Sequence, residues 1–170
     1  MTAPLSAVLI VKNAEATLER TLASTAFCGE VIVLLDASSS DRSRAIAEAR
    51  GARVHARTFD DFATQKNYAV SLARHEWVLS LDADEQVTPQ LADEILRLIG
   101  SADASASGAA AYRIRRRTYF LNRLLRFGGH QSDRPVRLFR RSAARFEGRV
   151  HEEVRVKGST RDLTAPLLHF

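Results

Sequence analysis

Trp77-Val78-Leu79-Ser80-Leu81-Asp82-Ala83-Asp84-Glu85 carries a short apolar run straight into three carboxylates. Trp, Val and Leu in near-continuous sequence suit a strand buried on both faces of a sheet. In an open parallel sheet, ligands sit just beyond the carboxyl ends of the strands, which is where these acids fall. Asp82 and Asp84 are two residues apart, so on a continuing strand both project to one face. Two oxygen donors so placed suit a hard divalent cation that also meets phosphate. The same acids read equally as a turn entering the helix that begins near Thr88-Pro89, and spacing alone does not separate the two readings.

Upstream, Leu5 to Val11 reads as a buried first strand ending at Lys12-Asn13, and Val31 to Leu35 as a second ending at Asp36. Helices are predicted over residues 14–26, with Gly29 as the residue that ends the helix, over 41–50, capped from Ser38-Ser39-Ser40-Asp41, and over 61–74. Arg53 to Ala56 is a short strand between the last two. Thr88 and Pro89 open a further helix whose inner face is Leu91, Ile95, Leu98 and Ile99. This alternation predicts an α/β fold with a mostly parallel sheet covered by helices on both faces.

Lys12-Asn13, Asp36 and Asp82-Ala83-Asp84 then share one sheet edge. A carboxylate at Asp36 suits a ribose hydroxyl or a base N–H, and Lys12 suits a phosphate or simply solvent. No Gly-x-Gly-x-x-Gly follows the first strand and no Walker A sequence occurs, so phosphate must be held in another way, and a metal on Asp-x-Asp would do it. Gln65-Lys66-Asn67 is polar within the helix before the acidic strand, and reads either as cleft-facing or as a solvated face.

Residues 100–110 are small and polar and mark a boundary between stretches 1–100 and 101–170. The first stretch has a charge balance of −4 and the second of +9, within a net +5 over 170 residues. A basic second stretch points to an anionic partner: a phosphorylated glycan, a membrane surface or nucleic acid. Its grammar also differs. Residues 111–115, 136–140 and 150–156 alternate as strands, and 119–127 is predicted to be a short amphipathic helix in which Arg123 and Arg126 interleave with Phe120, Leu124 and Phe127. His130-Gln131-Ser132-Asp133-Arg134 follows two glycines, a loop position suited to substrate contact. His151-Glu152-Glu153 lacks the spacing of a zinc protease. The aromatic sheet motifs of an RNA-recognition domain are absent, so nucleic acid is not an expected partner. One cysteine, Cys28, excludes an internal disulfide and fits a reducing compartment. No basic leader precedes the first apolar run, and no run approaches the roughly 18 apolar residues of a membrane span.

Four stretches together resemble the family 2 glycosyltransferases, inverting enzymes of the GT-A fold, and within them the bacterial enzymes that add a glucose or related sugar to the lipopolysaccharide or lipooligosaccharide inner core. They are Ala7 to Asn13; Val31 to Asp36 with Ser38 to Asp41; Gln65 to Ala69 with Trp77 to Glu85; and Asp133 to Arg140 with Val150-His151-Glu152. The resemblance implies one GT-A domain made of a nucleotide-sugar half, 1–100, and an acceptor half, 101–170. It implies a UDP-sugar donor, Mg2+ or Mn2+ on Asp82 and Asp84, donor contacts from Ile10, Val11, Lys12, Asn13, Asp36, Lys66, Asp82 and Ala83, and a glycan or glycolipid acceptor. The base on the acceptor hydroxyl is expected at Glu152, with Glu153 and Asp133 next. A cytoplasmic location against the anionic inner face of the membrane follows from the same resemblance. Ala37 and Ser39 depart from the family's Ser-Gly-Ser-Thr-Asp loop. Relatives continue past Leu168-His169-Phe170, so the alternative expectation is a truncated, inactive GT-A domain that binds nucleotide-sugar or glycan.

Overall fold

The computed structural model describes residues 3–100, 108–120, 123–125, 133–148 and 152–170. Strand β1 (Ala3–Val11), helix α1 (Leu18–Ala23), β2 (Cys28–Asp36), α2 (Ser43–Ala49), β3 (Arg53–Arg57), α3 (Phe62–Ser71), β4 (Trp77–Asp82), β5 (Glu85–Val87) and α4 (Pro89–Gly100) follow in order. After residue 107 come β6 (Ala109–Arg113), β7 (Arg116–Phe120), β8 (Arg123–Leu124), β9 (Val136–Arg140), a 3-10 turn at Arg141–Ala143, β10 (Ala144–Glu147), β11 (Glu153–Val156), β12 (Ser159–Asp162) and β13 (Leu167–His169). Helices account for the first stretch as the sequence predicts, with α1 shorter than its apolar periodicity because Ala14–Thr17 and Leu22–Cys28 close as turns.

A seven-stranded sheet runs β12-β6-β9-β4-β1-β2-β3. β1 to β4 are mutually parallel where they pair, whereas β9 enters antiparallel between β4 and β6. The continuous apolar strands feed two cores. Leu5, Ala7, Leu9 and Val11 of β1 and Trp77, Leu79 and Leu81 of β4 pack on one face with α1 and α4. Val8, Ile32, Leu34 and Val78 pack on the other with α3 residues Ala69 and Val70 and with Phe139 and Phe146. Each such fully buried Leu side chain contributes on the order of 1.5–3 kcal/mol. Cys28 belongs to the first core, where burial pushes its thiol up to about 12, out of the nucleophilic range.

Two sequence expectations are corrected. The predicted helix over 119–127 is instead a hairpin: β7 pairs antiparallel with β8, Tyr119 opposite Leu124 and Phe120 opposite Arg123. β7 also pairs with β13, which pairs with β5, so a second sheet, β5-β13-β7-β8, recruits the segment through contacts remote in sequence. Gly29 does not end a helix. It lies inside β2, where a Cβ would meet the Ala3 carbonyl oxygen at 2.4 Å. Phe127 and the loop residues His130, Gln131 and Ser132, together with His151, lie outside the described residues. Among the described residues no helix is long and apolar enough to cross a membrane.

Candidate active site

The sheet order reverses at β1, with β2 and then β3 on one side and β4 on the other. Such a reversal opens a crevice at the carboxyl ends of the flanking strands. Ile10 stands in register with Asp82, so the first apolar strand delivers its end directly beside the acidic one. The loops beyond β1 and β2 knit together. Asn13 adopts a left-handed backbone (φ 45°), a conformation that Asn tolerates better than most residues. Its side-chain oxygen accepts from Ser40 N–H at 2.9 Å, Asp41 accepts from Glu15 N–H at 2.9 Å, and Ser43 Oγ accepts from Ala14 N–H at 2.9 Å.

A cavity of about 650 Å³ opens here. The residues predicted from sequence that line it are Ile10 to Asn13, Asp36, Gln65 and Asp82 to Asp84; Phe59, Phe62 and Phe170 line it as well. Asp36 is buried at the end of β2. Its Oδ1 accepts from both Ser38 N–H and Ser38 Oγ at 2.8 Å. These two bonds, with the Lys12 ammonium 3.2 Å from Oδ2, hold the carboxyl below its ordinary range. Oδ2 itself is buried and has no hydrogen bond, since Lys12 approaches as an ion pair only.

Behind the cavity runs a chain of buried charges. Lys66, 4% exposed on α3, donates to Asp82 Oδ1 at 3.1 Å and to Glu152 Oε1 at 2.8 Å. Arg137, on central strand β9, donates through Nη2 to Asp82 Oδ2 and, at 2.6 Å, to Glu85 Oε1. Burial pushes the Asp82 carboxyl up, but the Arg137 and Lys66 charges outweigh it and hold the group well below the usual carboxylate range. Glu85 is fully buried. It also accepts from Asp82 N–H at 3.0 Å, and Arg116 lies 3.4 Å away and pairs with Asp133.

Asp84 is the more open of the two Asp-x-Asp carboxylates: its side chain is 39% exposed, and Oδ2 lies 3.5 Å from His169 Nε2. That carboxylate raises the His169 pKa against the opposing effect of burial. Phe170 N–H donates to the Asp84 carbonyl at 3.1 Å, which ties β13 to the acidic turn. Among the described residues no three His, Cys, Asp or Glu side chains cluster as a ready metal cage. Asp84 and His169 form a pair, and both oxygens of Asp82 already face cations.

The three candidate bases separate. Glu152 reaches Lys66, Asp133 is engaged by Arg116, and Glu153 is exposed on β11. Among the arginines of the basic second stretch, Arg113 pairs with Asp162 and Arg116 with Glu85 and Asp133, whereas Arg117 and Arg123 are exposed. Sequence reasoning counted Glu85 among the acids of the strand end but missed its pairing with a buried Arg137, and it missed His169. An arginine at an alternating position of an apolar strand, as in Val136-Arg137-Leu138-Phe139, was a usable signal, because a buried arginine requires an acidic partner. His169 carried no local signal.

The family model for glycosyl transferase family 2 matches residues 6–156. An uncharacterized glycosyltransferase of Rickettsia bellii is 33% identical over 101 residues, which is 59% of this chain and 34% of that protein. The lipopolysaccharide core biosynthesis glycosyltransferase LpsC of Rhizobium meliloti is 29% identical over an alignment of 175 residues, covering 98% of this chain and 63% of LpsC. The chain thus spans between a third and two thirds of the length of these relatives. Among solved structures, glucosyl-3-phosphoglycerate synthase of Mycobacterium tuberculosis in complex with Mn2+, UDP and glucosyl-3-phosphoglycerate superposes with a TM-score of 0.54 at 22% identity, over 66% of this chain and 44% of the synthase. The likeness establishes a GT-A fold.

Proposed function

Because this chain belongs to glycosyl transferase family 2, we propose that its cavity binds a UDP-sugar and that the chain forms the catalytic domain of an inverting hexosyltransferase. The donor sugar is glucose in the first instance, and the acceptor is a glycan of the lipopolysaccharide inner-core type. The observation that carries the reading is the cavity itself: Asp36 and Asp84 line it from the ends of β2 and β4, with Lys66 and Glu152 behind Asp82. The lipopolysaccharide-core role of LpsC and the UDP in the synthase complex support the same substrates.

Each residue then has a task. Oδ2 of Asp36, which lacks a hydrogen bond and meets only the Lys12 ammonium as an ion pair, accepts an N–H from the base, and a uracil imide offers one. Asp84 and His169, paired at the cavity, would be the residues to hold a divalent Mn2+ or Mg2+. When bound, the metal neutralises charge on the departing diphosphate. Asp82, expected from the sequence as a second ligand, has its two oxygens engaged by Lys66 and Arg137. Glu152 takes the proton of the attacking hydroxyl, and Lys66 holds that carboxylate in position. The exposed Arg117 and Arg123 face the anionic acceptor or the membrane surface that carries it.

Calorimetry of UDP with and without Mn2+ tests the donor site. Binding is expected to require Mn2+ and to weaken more than tenfold in Asp84→Asn and in His169→Ala. Equal UDP affinity in EDTA, or in both variants, would remove the metal–diphosphate reading.

A further inference from the structure

Phe59 and Phe62 stand at the cavity with 41% and 45% of their surface exposed. Two neighbouring large apolar side chains left half in water are unfavourable unless something covers them. Their rings meet edge to face, 5.1 Å between centroids and 74° between planes. The loop before α3, which carries Phe59 and leads into Phe62 at the start of the helix, is held from three directions. Gln65, itself buried, donates to the Thr58 carbonyl at 2.7 Å; Arg57 pairs with Asp60; and Asp61 caps α3 by accepting from Thr64 N–H at 2.8 Å. The rings are therefore presented on a fixed support, the condition under which an aromatic surface binds at low entropic cost.

Their place relative to Asp36 is set by the sheet. Arg57 is in register with Asp36, and its carbonyl accepts from Ala37 N–H at 3.0 Å, so the chain leaves β3 beside the Asp36 carboxylate and reaches Phe59 two residues later. β3 and β4 are three strand spacings apart in the order β4-β1-β2-β3, which at about 4.8 Å each is roughly 14 Å. A single sugar ring over Asp84 does not reach across that distance to the aromatic pair, whereas a nucleoside diphosphate does. The ligand part that falls at the β2–β3 end must offer a planar face to the rings and an N–H to Asp36 Oδ2, which lacks a hydrogen bond beside its Lys12 ion pair, and a nucleobase offers both.

We infer that Phe59 and Phe62 form the stacking platform for the base of the donor nucleotide. The inference rests on the proposed nucleotide-sugar donor and names the side chains that hold its base. The test is calorimetry with UDP and, separately, with inorganic pyrophosphate, each with Mn2+, on the wild type, on the double variant Phe59→Ala/Phe62→Ala and on Phe62→Tyr. UDP affinity is expected to fall by about 5- to 100-fold in the double variant, the range for loss of base stacking. Pyrophosphate affinity stays within about twofold, and Phe62→Tyr, which keeps a ring, binds UDP like the wild type. Unchanged UDP affinity in the double variant, an equal loss for pyrophosphate, or a wild type that binds pyrophosphate as tightly as UDP each overturns the platform while leaving the donor site standing. A wild type that binds neither UDP nor pyrophosphate overturns the donor reading, and the platform with it.

Discussion

Arg137→Met is the sharpest test of the buried charge network. Arg137 meets both Asp82 and Glu85 through Nη2. Without it, Asp82 keeps Lys66 at 3.1 Å and leaves a third of its side chain in water, so its loss is modest. Glu85 is different: it is fully buried, and its remaining cation among the described residues is Arg116, at 3.4 Å. Removing one partner of a buried ion pair costs roughly 3–5 kcal/mol, because the other charge is left without compensation. Methionine refills much of the vacated volume, so the cavity contribution is small. At about 2–4 °C per kcal/mol for a chain of this size, the melting temperature falls by roughly 6–20 °C. Urea unfolding at pH 7 measures the free energy directly. The double variant Arg137→Met/Glu85→Gln neutralises the stranded carboxylate yet keeps an oxygen for Asp82 N–H, and recovers at least about 1–2 kcal/mol of the loss. A single variant that loses less than about 1 kcal/mol, or a double variant no more stable than the single, refutes the reasoning.

Other outcomes follow from the same structure. Glu152→Gln lowers transfer to a lipopolysaccharide-core acceptor by about 10²–10⁴-fold with UDP binding intact; unchanged turnover in a coupled UDP-release assay assigns the base elsewhere. Glu30 sits in the β2–β3 region, where burial pushes its carboxyl up but hydrogen bonds from Arg74 N–H, Ser6 and Arg53 bring it net below its ordinary value. Its contribution to stability is present above the unfolded value of about 4.3 and is lost as pH falls through the lower folded value; acid titration of Glu30→Gln therefore shows a shallower decline between about pH 5 and 3 than the wild type, and parallel curves contradict this. Gly29→Ala forces a Cβ to within 2.4 Å of the Ala3 carbonyl oxygen, a backbone atom that moves only with β1, and costs about 1–3 kcal/mol by chemical denaturation; a neutral substitution means the strands separate freely.

The sheet and its acidic edge were legible because the information is local. Val31 to Leu35 and Trp77 to Leu81 lack alternation and so read as central strands, and beyond the carboxyl ends of such strands is where an open parallel sheet receives ligands. That reading puts Asp36, Asp82 and Asp84 at one sheet edge, where the structure has them line the cavity; their roles came only with the family resemblance. The hairpin at Tyr119–Leu124 was not legible, since its residues are apolar at both helical and strand spacings and the decision falls to β13, about fifty residues later in sequence. Arg137 and Glu85 face each other from β9 and β5, and neither stretch carries the other's charge as a pattern. Phe62 belongs to the apolar set of the predicted 61–74 helix, yet the structure leaves it 45% exposed at the cavity, and no pattern in the sequence singles out Phe59.

The antiparallel seat of β9 between β4 and β6 also bears on how the chain is made. Residues 100–107, small and polar, are the obvious seam at which to divide it, yet the outer edge of β4 finds its partner only in residues 138–140. A fragment ending at the seam presents Trp77, Val78 and Leu79 as a bare, apolar, hydrogen-bonding edge, the geometry that recruits strands from other molecules. The growing chain passes through the same state on the ribosome, with about fifty residues of synthesis between Glu85 and the strand that closes the β4 edge. Yield and solubility should therefore respond to changes in β9 far more than to changes in the linker it follows.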